Sequence, residues 1–158
     1  MRLRLEWLLV LATTLGAAVG GLGAAARPPA AEPSGKSGAN DACAVLTRSE
    51  VEATFGALKG EPLRDTGIRN EKLCTYSNTA GSWLRMSLYG ADRWATEKGT
   101  TSEGKQKQLS GLGDAAFSIK RGTDSVVYVR KGGGVLELSC SCDLAKAEAL
   151  ARKAAPRI

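Results

Sequence analysis

Cys43, Cys74, Cys140 and Cys142 are the four cysteines of this 158-residue chain, and they stand in a sequence without a single histidine. The missing histidine excludes Ser-His-Asp and Cys-His catalysis, histidine-ligated zinc and a histidine pH switch. Thiol, carboxylate, lysine and tyrosine chemistry remain. Four cysteines can form structural disulfides, run thiol–disulfide exchange or hold zinc. Zinc fits poorly, because Cys140-Ser141-Cys142 has one intervening residue where metal sites use two to four. No metal and no cofactor are expected. Exchange would use the Cys140/Cys142 pair, whose thiols would sit beside the start of a helix that could lower their pKa. Cys140, however, alternates in phase with Leu136 and Leu138, which argues for burial.

The favoured pairing is Cys43–Cys74 with Cys140–Cys142. The first bond closes a long loop, a contribution of about 3 kcal/mol or more in the chain-entropy treatment. The second joins residues two apart, whose Cα atoms on an extended strand lie about 6.5–7 Å from each other, at the edge of disulfide geometry. It needs the strand to kink as it runs into the helix at Asp143, so crossed pairing between the two sets stays open.

Other residues offer less. Gly111-Leu112-Gly113-Asp114 resembles a phosphate loop in composition only, since it precedes a strand and lacks the following Lys-Ser/Thr. It reads as a turn in which Asp114 binds nearby backbone amides. Trp83 and Tyr89 fall on the strand face opposite Leu84, Met86 and Leu88, with Arg85 between them. That set is either an aromatic binding surface or a second layer under loops. No two acids are placed together by spacing, so no catalytic residue is assigned.

The element at the centre of the chain is Ser125–Cys142, SVVYVRKGGGVLELSCSC, read as two strands around a glycine turn. Val127 and Val129 share one face with Leu136, Leu138, Cys140 and Cys142, and the opposite face should be wet. A hairpin alone is unstable, so other elements must cover it. Thr47-Arg48-Ser49-Glu50 is a capping box, and Arg48–Phe55 is a short helix stopped by Gly56. Cys74–Ser77 and Trp83–Tyr89 form a second hairpin, with a short strand near Leu63. Asp92–Gln108 is polar, with one helical turn around Trp94. Ala115–Ile119 is another strand. Asp143 caps a final helix, Leu144–Ala155, whose stripe is Leu144, Ala147, Leu150, Ala151 and Ala154. The expectation is an α+β fold: an antiparallel sheet of about five strands with N- and C-terminal helices on one face.

Ahead of this domain, residues 41–158, the chain reads as an exported protein. Arg2 and Arg4 precede the uncharged run Trp7–Leu22 and the Ala24-Ala25-Ala26 cleavage signal. Residues 1–26 read as a signal peptide, with an uncleaved anchor over 7–22 as the alternative. Residues 27–40, rich in Pro, Ala, Ser and Gly, read as a flexible spacer. The net charge is +6, but Lys and Arg are scattered among acids, so nucleic acid is not an expected partner. Membrane contact requires the N-terminal segment to be kept.

DACAVLTRSEVEATFG (41–56), CTY (74–76), SGLGDAAF (110–117), VRKG (129–132) and the Ala-rich closing helix resemble, in order and spacing, an uncharacterised family of exported bacterial envelope domains, many of whose actinobacterial members are lipoproteins. The resemblance covers Asp41 to the C-terminus. It implies a small envelope-facing α+β domain with no assigned activity, in the periplasm or outside the cell, and a Cys43–Cys74 bond. The chain departs from it in lacking a lipid-attachment cysteine and in carrying Cys140 and Cys142. The function expected is non-enzymatic binding of an envelope protein or small ligand, with thiol–disulfide exchange through Cys140 and Cys142 as the alternative.

Overall fold

A computed structural model describes residues 41–100 and 105–158. The leader, the spacer and the anchoring alternative lie outside the described residues. Among the described residues, no helix is long and apolar enough to cross a membrane.

Seven strands make one antiparallel sheet: β1 (Leu63–Thr66), β2 (Lys72–Ser77), β3 (Trp83–Gly90), β4 (Lys107–Leu109), β5 (Ala115–Arg121), β6 (Asp124–Lys131) and β7 (Gly134–Cys140). Their order is β1-β2-β3-β7-β6-β5-β4. The sheet is thus two meanders, β1–β3 and β4–β7, joined where β3 pairs with β7. Among the described residues, three α-helices accompany it: α1 (Arg48–Phe55), α2 (Trp94–Thr100) and α3 (Leu144–Ala154). The α+β class and the antiparallel sheet are as expected. The expected five strands become seven, because β1 and β4 form the two edges. The short strand near Leu63 is β1. β4 is the tripeptide Lys-Gln-Leu, too short to show an alternation, and its pairing to β5 holds it extended.

α1 forms because its first turn is satisfied twice. The Thr47 hydroxyl accepts from the Glu50 amide at 3.3 Å, and the Glu50 carboxylate accepts from the Thr47 amide at 2.9 Å. Gly56, at φ 95°, ends it. α3 buries Ala147, Leu150, Ala151 and Ala154, as its periodicity requires. Asp143 stands at its N-cap position but makes no capping bond, and pairs instead with Lys146 at 3.5 Å. α1 and α3 share one core cluster with Leu84, Met86, Val127, Val129, Leu136 and Leu138 from the sheet.

The other face is not simply wet. Phe117, Ile119, Val126 and Tyr128 form a second buried cluster, against which Trp94 of α2 packs. The Phe117 and Tyr128 rings stack at 4.8 Å, and Trp94 meets Phe117 edge-on at 5.4 Å. The central hairpin is therefore buried on both faces, and α2 takes the side opposite α1 and α3.

Candidate binding face

The cysteines pair as Cys43–Cys74 and Cys140–Cys142. The first bond fastens the 3-10 turn Ala42–Ala44, capped by Asp41, to β2. In the second, the Cα atoms are 5.3 Å apart, well inside the spacing of an extended strand, because the chain bends at Ser141 as β7 ends. The bend is anchored on both sides. Ser141 N donates to the Trp83 carbonyl at 3.0 Å, and Trp83 N donates to the Ser141 hydroxyl at 2.9 Å. The Cys142 carbonyl accepts from the Ser125 hydroxyl at 2.6 Å and from Lys120 at 3.3 Å. Cys140 is buried and Cys142 half-buried, and no cysteine is free.

The strand registers assign the face opposite α1 and α3. One row across the sheet reads Leu63, Thr75, Arg85, Ser139, Val126 and Ile119. The next reads Asp65, Leu73, Ser87, Glu137, Tyr128 and Phe117. Trp83, Arg85 and Tyr89 all lie on this face, but not as one group. Arg85 lies over the Trp83 ring at 6.0 Å and reaches the Thr75 hydroxyl at 3.4 Å. Tyr89 stands six residues beyond Trp83 and four beyond Arg85 along β3, about 20 Å and about 13 Å away at strand rise. It belongs to a different neighbourhood.

That neighbourhood is a polar cluster between the sheet and α2. The Tyr89 hydroxyl donates to Glu137 at 3.4 Å, and Arg93 lies over the Tyr89 ring at 5.1 Å. Arg93 pairs with Glu97 at 2.7 Å. The Tyr128 hydroxyl donates to Glu97 at 3.4 Å and accepts from Arg121 at 3.2 Å. Arg130 covers the Trp94 ring at 5.5 Å. Burial pushes the Tyr89 and Tyr128 hydroxyls well above the ordinary tyrosine range, with the Glu137 charge adding to it, so both stay protonated donors. Burial also raises the Glu137 carboxyl, helped by the negative charge of Glu97. Among the described residues, no three metal-ligating side chains converge on a point.

Sequence reasoning missed Glu137, Glu97, Arg93, Arg121 and Tyr128. Alternation alone put Glu137 in water. A usable signal existed: counting outward from a two-residue Gly132-Gly133 turn sets Glu137 directly opposite Tyr128, and an acid facing a tyrosine inside an apolar hairpin is a hydrogen-bonded pair.

Asp114 also differs from expectation. Its carboxylate accepts from the Gly132 amide at 2.8 Å, so it fixes the β6–β7 turn rather than its own loop. An open groove lies beside that turn, lined by Lys72, Tyr89, Lys131, Gly132 and Ile158 among others.

No protein-family model and no curated protein matches the chain. The fold is similar to a solved structure described as a GTP binding regulator from Thermotoga maritima, with a TM-score of 0.50 and 11% sequence identity over 75% of this chain and 88% of that one. At that identity the likeness is one of fold alone.

Proposed function

We propose that this is an exported, non-enzymatic binding domain that engages an envelope protein or small ligand through the β1–β3 half of the second sheet face. The observation that carries the reading is the state of that half-face. Leu63 is 72% exposed, Leu73, Thr75 and Trp83 are half-buried, and Arg85 lies over Trp83. Ile68, 82% exposed, follows β1. An aromatic ring with a stacked guanidinium and apolar neighbours is the composition of a binding hot spot. Export is supported by the N-terminal layout and by two disulfides, which persist in oxidising compartments. The name of the fold neighbour does not favour nucleotide binding here, because a P-loop or equivalent glycine–helix phosphate cradle is absent among the described residues.

The test is a photo-crosslinker placed at Leu63 in protein exported by a bacterial host, with Ala149 on the outer side of α3 as the control position. A discrete adduct at Leu63, absent at Ala149 and lost in the Trp83→Ala, Arg85→Ala double variant, is expected. Equal adducts at both positions, none at either, or a measured turnover would overturn the reading.

One observation favours a second reading, thiol–disulfide exchange. The Cys140–Cys142 bond spans one residue immediately before α3, and Cys142 is half-buried rather than sealed. If the Cys140→Ser, Cys142→Ser variant exchanges with glutathione as the parent does, this reading is removed.

A further inference from the structure

Trp83 stands one residue beyond the last registered pair of the β3–β7 ladder, Leu84 with Cys140. Its neighbour Ser82 faces β2, since the Ser82 carbonyl accepts from the Asn78 amide at 2.9 Å. The polar groups of an antiparallel strand alternate in direction, so the amide and carbonyl of Trp83 turn away from β2. Both meet Ser141. Trp83 N donates to the Ser141 hydroxyl at 2.9 Å, and the Trp83 carbonyl accepts from the Ser141 amide at 3.0 Å and from its hydroxyl at 3.5 Å. The backbone that carries the Trp83 ring, with Arg85 over it at 6.0 Å, is thus held on its β7 side by one serine.

That serine is the middle residue of the ring closed by Cys140 and Cys142. The bond draws their Cα atoms to 5.3 Å, against about 6.5–7 Å for the same two positions on an extended strand. The cysteines belong to the main core, where Cys140 is fully buried and Cys142 packs against it, whereas the Trp83 ring lies on the other face. Each cysteine has a second anchor. Cys140 is in register with Leu84 and Ser125, and the Cys142 carbonyl accepts from Ser125 and Lys120. With the bond open those anchors remain, and the conformational freedom gained falls on Ser141, the residue that grips Trp83.

We propose that the Cys140–Cys142 bond positions Trp83 and places the Trp83/Arg85 surface under redox control: closed, it fixes Ser141 against Trp83, and opened by a dithiol it lets the ring move. The positioning concerns the free protein; the control rests on the reading of this surface as the binding face. The order of attack follows from burial. Cys142 is half-buried and Cys140 fully buried, so the reductant's thiolate meets the Cys142 sulfur. The S–S bond breaks, a mixed disulfide forms at Cys142, and Cys140 leaves with the electron pair and takes up a proton. The second thiol of the reductant, losing its proton, attacks the reductant sulfur of the mixed disulfide and releases Cys142, which takes up a proton in turn. Two electrons and two protons pass from dithiol to protein, and the reductant ends as a disulfide. Cys43 and Cys74 are both buried, so their bond is the more protected of the two.

The test uses the full chain exported by a bacterial host. In the Cys140→Ala, Cys142→Ala variant, the Trp83 and Ser141 amides should exchange about tenfold faster than in the parent, the chain-entropy worth of so short a ring. The Trp83 indole resonance should shift, while the Val127 amide keeps its protection. Ser141→Ala, with the disulfide intact, should speed exchange of the Trp83 amide likewise. Dithiothreitol followed by thiol alkylation of the parent should label Cys140 and Cys142 before Cys43 and Cys74. The Leu63 photo-adduct should weaken in the alanine pair. Unchanged Trp83 exchange in that variant, first labelling at Cys43 and Cys74, or a Leu63 adduct as strong as the parent's would each overturn the proposal. An adduct missing already in the parent overturns the binding reading and the control that rests on it, and the exchange data then decide the positioning by themselves. Should the alanine pair fail to fold, Cys142→Ala, which leaves Cys140 in the core, is compared in its place.

Discussion

Arg157 closes the chain onto its beginning. Its guanidinium grips the Glu50 carboxylate at 2.6 and 2.8 Å and donates to the Val45 carbonyl at 2.8 Å. Glu50 thus accepts from Arg157 and from both the amide and the hydroxyl of Thr47, and this holds its pKa down at about 2. A carboxyl depressed in the folded state stabilises fully above its unfolded value, and that contribution is lost as pH falls through the folded value. The stability of the parent should therefore drop by about 1–2 kcal/mol between pH 5 and 2 from this pair, allowing for its partial exposure. Glu50→Gln should lose most of that slope in urea melts taken across the pH range. Two glycines give a second contrast at this scale. Gly111 and Gly113 both have positive φ, 66° and 64°. A methyl at Gly113 would collide with the Arg130 carbonyl and come within 2.9 Å of Val129, whereas one at Gly111 meets nothing within 4 Å. Gly111→Ala should cost only the backbone strain, about 1–2 kcal/mol, and Gly113→Ala clearly more, read as the difference in urea midpoint. The two positions are indistinguishable in the text GLGD, because the obstacle at Gly113 comes from a strand 17 residues later.

Elements were legible where their signals are local. The Thr47–Glu50 box, the α3 stripe and the glycine turn each depend on residues within one or two turns of chain; the box and the turn stand as the sequence implies, and the stripe does so for Ala147, Leu150, Ala151 and Ala154 while Leu144 is only half-buried. The second face of the hairpin was not legible. Val126 and Tyr128 look like the outward half of an alternating strand, and only α2 and the neighbouring Phe117 and Ile119 make that side a core. Trp94 gave the one hint, as the lone large apolar residue of a polar segment. The candidate face was half legible: Trp83 and Arg85 do sit together, but Tyr89 pairs with Glu137, a contact between strands 48 residues apart in sequence. The disulfide at the start of the domain belongs to this scale too. Cys43–Cys74 closes 31 residues and ties the turn before α1 to β2. Replacing both by Ser should lower stability by about 3 kcal/mol, with α1 and the Ala42–Ala44 turn showing the largest loss of amide protection.

The whole molecule depends on one junction that no local pattern announces. Within each meander, neighbouring strands are neighbours in sequence, and short hairpins close at little entropic cost. β3 and β7 are different: Leu84 pairs with Cys140, Met86 with Leu138 and Leu88 with Leu136, across some 50 residues of intervening chain. Either meander alone would leave this edge open and half of the main core bare, since that core mixes Leu84 and Met86 from one with Val127 and Leu138 from the other. Ser141, bonded to Trp83 through both amide and hydroxyl, clamps the end of the junction. The two meanders should therefore unfold as one unit. Leu138, fully buried between Met86 and Val127, tests this most sharply. Leu138→Ala should cost about 2–5 kcal/mol and move tryptophan fluorescence and far-ultraviolet circular dichroism to lower urea together, with one shared midpoint. Separate midpoints, with Trp83 in the first meander released at a different urea concentration from the bulk of the sheet, would mean that the junction joins two independently stable halves instead of making one domain.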